Sequence, residues 1–234
     1  MKNAAPLFYQ SDLSSDQKII SLDEETRKHI VTVLRMKAGD LLTLTNGKGL
    51  TAEATILEVG KRNVTVTLHQ FETHQNNSFK ISLGISLLKN NVRFEWMLEK
   101  ATELGVFEVF PIVSERTERQ HFRKERFEQI IRSACLQSEQ YKFPVLHEPV
   151  SLEKLVIQHN LPSSRFIAHC YDDSKKSQIS KVSEDAMLLI GPEGDFTQNE
   201  LQLAYEHNFI PVSLGHTRLR TETAGVVGVA LMRG

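Results

Sequence analysis

From residue 73 onward the chain alternates between apolar runs of strand length and segments of helical period, and this rhythm limits the fold more than any other feature. The runs "FKISLGISLL", "VFEVFPIV", "FPVLHE", "RFIAHC", "AMLLI" and "FIPVSLG" read as strands, most of them buried. Helices are predicted for "NVRFEWMLEKATEL", "HFRKERFEQIIRSACLQSEQ", a short piece from Ser151, the segment after Thr197 and the run toward Met232. Continuously apolar strands separated by helices imply a mainly parallel sheet covered on both faces. The rhythm ahead of residue 73 is different. "DLLTLTN", "LTAEATILEV" and "VTVTLHQF" alternate with period two between turns at 46–49 and 60–63, the pattern of antiparallel strands that close into a small barrel. Ser21 with Glu24 reads as a capping box opening a short helix that ends near Gly39. The polar break "ETHQNNS" separates the two rhythms and implies two domains, 1–72 and 73–234.

Composition narrows the class further. With 40% hydrophobic and 24% charged residues the chain can bury a core without staples. No apolar run approaches the roughly 20 residues that cross a bilayer. The opening "MKNAAPLFYQSD" lacks an apolar signal region, and Cys135 and Cys170 share no CxxC spacing, so a cytoplasmic protein with reduced thiols is expected. The nine histidines show no metal-binding spacing, and no metal site is expected.

A net charge of −1 hides an uneven distribution. Between 116 and 133 stand six basic residues (Arg116, Arg119, Arg123, Lys124, Arg126, Arg132) against three acids (Glu118, Glu125, Glu128). Either this is a solvated helix laced with ion pairs or it is a face for nucleic acid. Glu95, Glu99 and Glu103 fall four apart on one helical face and need basic partners, with Lys89, Arg93 or the group at 116–126 as candidates.

The loop in "LLIGPEGDFTQNEL" follows a buried strand and precedes a helix capped by Thr197 and Glu200, the position where open α/β sheets bind ligands. It lacks both glycine-lysine and glycine-rich phosphate signatures, and Glu193 and Asp195 would repel phosphate, so a neutral or cationic ligand suits it better. Further on, Arg218 and Arg220 precede a helix capped by Thr221 or Thr223, where the macrodipole disfavours cations. Glu193, Glu222 or an RNA phosphate would offset them. Gly225 and Gly228 each cost a helix interior roughly 1 kcal/mol relative to alanine. Another helix, a second subunit or a ligand must therefore come close.

Taken together, "IGPEGDF", "SLGHTRLRTETA", "LLKNNVRFEWMLEKATELGV", "RFEQIIRSACLQSEQYKFP" and "HIVTVLRMKAGD" followed by "NGKG" resemble the 16S ribosomal RNA uracil-N3 methyltransferases of the SPOUT superfamily. The resemblance spans nearly the whole chain. It implies an α/β fold with a SPOUT-type trefoil-knotted parallel sheet and an N-terminal PUA-like β-barrel, a homodimer, and S-adenosylmethionine as methyl donor. Carried over, the cofactor residues are Ile190, Gly191, Pro192, Glu193 and Gly194, then Ser213, Leu214 and Gly215, then Arg218, Leu219, Arg220, Thr223 and Ala224, with a weakly marked contribution from 169–171. Glu222 is the expected base for the N3 proton and Arg220 the group that steadies charge on the uracil. His29, Arg35, Arg116, Arg119 and Arg123 are the expected contacts to 16S ribosomal RNA or the small subunit. Two other readings stay open: a SPOUT enzyme acting on a ribose 2′-hydroxyl or another RNA, and a non-catalytic RNA-binding assembly factor.

Overall fold

The computed structural model describes residues 5–75, 79–118, 121–158, 160–172 and 176–234. They fold as two compact units: Met1–Asn76 with Cys135–Phe143, and Asn77–Ala134 with Pro144–Gly234.

The first unit is a five-stranded sheet in the order β1-β3-β4-β5-β2, with β1 at Leu7–Tyr9, β2 at Ile19–Leu22, β3 at Leu41–Thr45, β4 at Leu50–Val59 and β5 at Val64–Thr73. Its end strands β1 and β2 do not pair with each other, so the PUA-like barrel is only partly closed. Period-two alternation works as expected: Leu42 and Leu44 point inward with Ala52, Ala54, Ile56, Val64 and Val66, all at most 1% exposed. Helix α1 (Glu24–Lys28) is capped by Asp23, whose Oδ1 accepts from Thr26 N at 2.8 Å. The expected Ser21–Glu24 box does not form, because Ser21 lies in β2 and its hydroxyl accepts from Asn63 Nδ2 instead. The turn in "NGKG" is shaped by the returning segment 135–143. Phe143 N donates to Gly47 O and Gly49 N to Tyr141 O, and a Cβ on Gly47 would stand 2.6 Å from the Phe143 ring.

The second unit carries an eight-stranded, all-parallel sheet. In chain order its elements are β6 (Ile81–Ser86), α2 (Asn91–Glu103), β7 (Glu108–Val113), α3 (Lys124–Gln137), β8 (Val145–Leu146), β9 (Val150–Ser151), α4 (Leu152–Val156), β10 (Ser164–Ala168), β11 (Ser177–Gln178), β12 (Ala186–Ile190), α5 (Gln198–Glu206), β13 (Ile210–Ser213) and α6 (Thr221–Arg233). The strand order is β11-β13-β10-β12-β6-β7-β8, with β9 beside β7. Every residue of β6 and β12 is buried, as strands covered on both faces require. One face packs Phe110, Ile112, Leu155, Ile167, Leu189 and Phe196 with α4 and α5. The other carries α6 against α2, β6 and β12.

From β13 the chain crosses back over β10 and β12 to place α6. The connection leaving β10 passes the far end of that helix, where Val182 N donates to Met232 O at 3.0 Å. The parallel sheet and these crossings agree with the SPOUT-type fold that the resemblance implies. The two polar residues of β11 pair with β13 without any apolar pattern of their own, so the sequence reads them as loop.

Gly225 and Gly228 do meet a close neighbour, but it is the sheet. A Cβ on Gly225 would stand 2.7 Å from Ile85 Cδ1, and one on Gly228 would collide with Leu188 Cδ2. Met97 of α2 also stands 3.4 Å from the Gly225 position, so the expected neighbouring helix contributes there, and the tightest contacts are the sheet's. Among the described residues no helix is long and apolar enough to cross a membrane.

Candidate functional site

The parallel register places three loops side by side. Ala168 pairs with Ile190 on one flank and with Val212 on the other, so the chain leaves β10, β12 and β13 at the same edge. Between those loops and the first turn of α6 lies a cavity of about 680 Å³. All the residues expected at the cofactor line it except Gly194 and Thr223. His169, Cys170, Lys176, His216, Thr217 and Thr221 line it as well. Of these, His169 and Cys170 are marked in the sequence as residues after an apolar strand, and His216, Thr217 and Thr221 by the motif "SLGHTRLRTETA". Lys176 sits in a polar stretch that carries no pattern.

Each loop is built by its own residues. In the loop after β12, Asp195 N donates to Pro192 O at 2.9 Å, closing a tight turn with Asp195 in the left-handed region at φ 64°. Aspartate tolerates that conformation because its short side chain bonds locally. Here Oδ1 accepts from Phe196 N at 2.8 Å and Oδ2 from Cys170 N at 2.7 Å. Both carboxylate oxygens thus anchor backbone amides, and Asp195 lines the cavity as a fixed anion while Glu193 is exposed beside it. Gly191 has no room for a side chain, since a Cβ would lie 3.1 Å from Phe196 N and from its ring. The expected capping box of Thr197 and Glu200 is complete. Glu200 also reaches sideways, its Oε1 accepting from Glu115 N at 2.8 Å. In the loop after β13, Gly215 adopts φ 136°, and nothing stands within 4 Å of where its Cβ would be. A ligand can approach that backbone directly.

Charge at the cavity is mixed. Lys176 donates to His169 O and Tyr171 O, and Arg218 and Arg220, both exposed, line the cavity together with Glu193. Arg220 stands at the N-cap of α6 with no side-chain capping bond, so neither expected threonine caps that helix. S-adenosylmethionine carries a sulfonium cation and a carboxylate on one small body. A cavity lined by two carboxylates (Glu193, Asp195), three cationic side chains (Lys176, Arg218, Arg220) and an open glycine backbone offers partners to both charges of that molecule, and it lacks the glycine-rich signatures of a polyphosphate site.

Glu222 is not among the residues that line the cavity. It is buried at 7% exposure on the α2-facing side of α6, with Oε1 3.6 Å from Arg93 Nε and Oε2 without a hydrogen-bond partner. Of the basic partners expected for the acidic face of α2, the 116–126 group supplies one, while Lys89 and Arg93 pair with Glu118 and Glu222 and a lysine of α2 itself serves the other two acids. Glu95 accepts from Arg126 at 2.8 Å, and Lys100 meets both Glu99 and Glu103.

The expected RNA contacts scatter. His29 and Arg35 are exposed on one irregular turn, where Leu34 N donates to His29 O and Arg35 holds φ 55°. Arg123 is exposed and donates to His121. Arg119 lies outside the described residues. Arg116 is engaged within its own unit, donating to Tyr171 and Gly194. Among the described residues no group of three His, Cys, Asp or Glu side chains is placed to hold a metal ion.

Known proteins share both units. The RNA methyltransferase domain family matches residues 75–233, and the RNA methyltransferase PUA domain family matches residues 22–68. The chain is 26% identical over 230 residues to ribosomal RNA small subunit methyltransferase E of Rickettsia conorii, covering 97% of this chain and 94% of that one. Among solved structures it is similar to a probable rRNA-methyltransferase from Porphyromonas gingivalis, 38% identical with a TM-score of 0.87 over 96% of this chain and 95% of that one. It is also similar to ribosomal RNA small subunit methyltransferase E from Neisseria gonorrhoeae bound to S-adenosyl methionine, 28% identical with a TM-score of 0.85 over 98% and 97% of the two chains. Because the match from 75 to 233 takes in the whole parallel sheet and all three cavity loops, we conclude that this chain belongs to the family of RNA methyltransferases.

Proposed function

We propose that this chain methylates N3 of a uridine in 16S ribosomal RNA, using S-adenosylmethionine held in the cavity between the loops after β10, β12 and β13. The observation that carries the reading is that cavity, at the carboxyl edge of the sheet of a family whose relatives bear the name ribosomal RNA small subunit methyltransferase E, one of them with the methyl donor bound. When bound, the donor supplies a methyl group on a positively charged sulfur, ready for in-line transfer. The chain's own residues orient and exclude. Gly215 admits the ligand to the backbone, Gly191 lets the loop close over Phe196, Glu193 faces the ligand's positive charge, and Arg218 or Arg220 faces its carboxylate.

Alignment of the reacting atoms is the largest contribution, since well-oriented pairs gain roughly 7–11 kcal/mol. N3 lies on the pairing edge of uracil, so the base is turned out of any helix before it reacts. Arg220, on the cavity wall, is assigned to steady negative charge on the uracil ring. Glu222 is assigned the N3 proton. Its inward position means that substrate binding must draw it from Arg93 before it can act.

RNA is gripped by His29 and Arg35 of the first unit and by Arg123, with Arg119 a further candidate. Val92 and Trp96, 71% and 43% exposed on α2, support a homodimer that covers this face. Two free thiols, one of them exposed, suit a cytoplasmic setting. Mass spectrometry of 16S nucleosides from a deletion strain tests the assignment: 3-methyluridine should disappear and return with the wild-type gene. Its persistence refutes the proposal.

A further inference from the structure

Arg116 leaves the loop after β7 and reaches across to two loops remote in sequence. Its Nη1 donates to Tyr171 Oη at 2.9 Å and to Gly194 O at 2.8 Å. Its stem lies along Gly194, with Cβ and Cδ both 3.4 Å from where a Gly194 Cβ would stand. That is ordinary van der Waals contact, so the stem packs against the backbone of the 191–195 loop as well as bonding to it. One residue on, Asp195 Oδ2 accepts from Cys170 N at 2.7 Å, and one residue back along the β7 loop, Glu115 N donates to Glu200 Oε1 at 2.8 Å. The loops at 169–171 and 191–195 are therefore joined directly once and through Arg116 a second time. Both contribute to the cavity wall, through His169 and Cys170 on one side and Glu193 and Asp195 on the other. The Tyr171 hydroxyl is the main reason the guanidinium holds its proton more tightly than usual, with the Glu115 and Asp195 carboxylates adding to the effect.

We propose that Arg116 is a positioning residue for the methyl-donor cavity, a clasp that sets the spacing of the 169–171 and 191–195 loops, rather than a contact to RNA phosphate. The inference rests on the assignment of that cavity to S-adenosylmethionine. Nothing in the sequence distinguishes Arg116 from its basic neighbours. Its partners stand 55 and 78 residues away.

Calorimetry with S-adenosylmethionine, steady-state kinetics and salt titration of RNA binding on the full-length chain test it, using Arg116→Met, Arg116→Lys and Tyr171→Phe. Arg116→Met should raise both Kd and KM for the donor about tenfold, the scale of a lost charged hydrogen-bond pair, while kcat at saturating donor stays within about twofold. Arg116→Lys should recover most of the affinity, because an ammonium can still donate to both oxygens. Tyr171→Phe removes one acceptor only and should raise Kd about threefold. It carries the test should Arg116→Met fail to fold. The RNA salt slope should stay at the wild-type value in all three. Donor affinity unchanged in Arg116→Met or Tyr171→Phe overturns the inference. So does a salt slope reduced by about one in Arg116→Met, which would make Arg116 a phosphate contact. Failure of the wild-type chain to bind the donor sinks the cavity assignment itself and is read separately.

Discussion

Replacing Gly228 by alanine probes the seat of α6 on the sheet. The added methyl would collide with Leu188 Cδ2 and lie 3.7 Å from Leu188 Cγ and from Leu214 Cδ2. Leu188 cannot swing outward, since it is fully buried at the centre of β12 with β10 and β6 paired on its flanks. Two terms oppose each other. Alanine gains about 1 kcal/mol over glycine in helix propensity, while forcing a methyl into a packed core costs about 1–3 kcal/mol. The overpacking wins by about 1 kcal/mol, which in a chain of this size lowers Tm by about 2–4 °C. Because Thr221 and Ala224 in the first turn of the same helix line the cavity, donor affinity should fall as well.

The decisive control is the same change in a Leu188→Ala background. That mutation alone costs about 2–5 kcal/mol, but it removes the colliding group. Gly228→Ala should then stabilise by about 1 kcal/mol. Thermal melts of the four variants, with calorimetry for the donor, read the cycle. If Gly228→Ala has the same sign in both backgrounds, the packing argument is wrong.

The other predictions concern the cavity, the RNA and the proton. Cys170 is exposed at the cavity and Cys135 is buried, so iodoacetamide at mild pH should modify Cys170 alone, and bound S-adenosylmethionine should protect it; peptide mass spectrometry reports both. Burial pushes the Cys135 thiol from 9.0 up to about 12. The folded chain therefore keeps that proton where an unfolded thiol has lost it. Its contribution to stability is whole below about pH 9 and declines as pH rises toward 12, which a Cys135→Ala comparison in alkaline denaturation should reveal. Arg35→Ala should weaken RNA binding at every sequence and lower the salt slope by about one, and a slope equal to wild type removes Arg35 from the interface. Glu222→Gln should abolish turnover while leaving donor binding intact. Near-normal turnover takes the proton away from Glu222.

Much of the fold was legible because it rests on local signals. The unbroken apolar run of β12, the complete Thr197–Glu200 box and the period-two strands of the first unit are written within a few residues, where side-chain spacing meets backbone geometry. The cavity loops were legible for a related reason, since glycine turns after buried strands stand out from their surroundings. Elements without such a pattern were missed. β11 is two polar residues held only by pairing with β13. Asp23 and Ser21 both offer a capping oxygen, and the choice between them depended on Ser21 being drawn into β2.

By itself, then, the order of residues determined the long strands and helices, that the second sheet is parallel and covered on both faces, and that the 191–195 loop lies at its carboxyl edge, while the other cavity loops came from the family resemblance. The tertiary structure alone decided who meets whom: that Arg116 clasps Gly194 and Tyr171, that Asp195 spends both oxygens on backbone amides, that Glu222 turns toward Arg93 and away from the cavity, and that Gly225 and Gly228 yield to the sheet. The reason is range. Periodicity and capping act over one or two turns of chain, whereas the partner of a charged or missing side chain is set by the register of strands that sequence spacing cannot see.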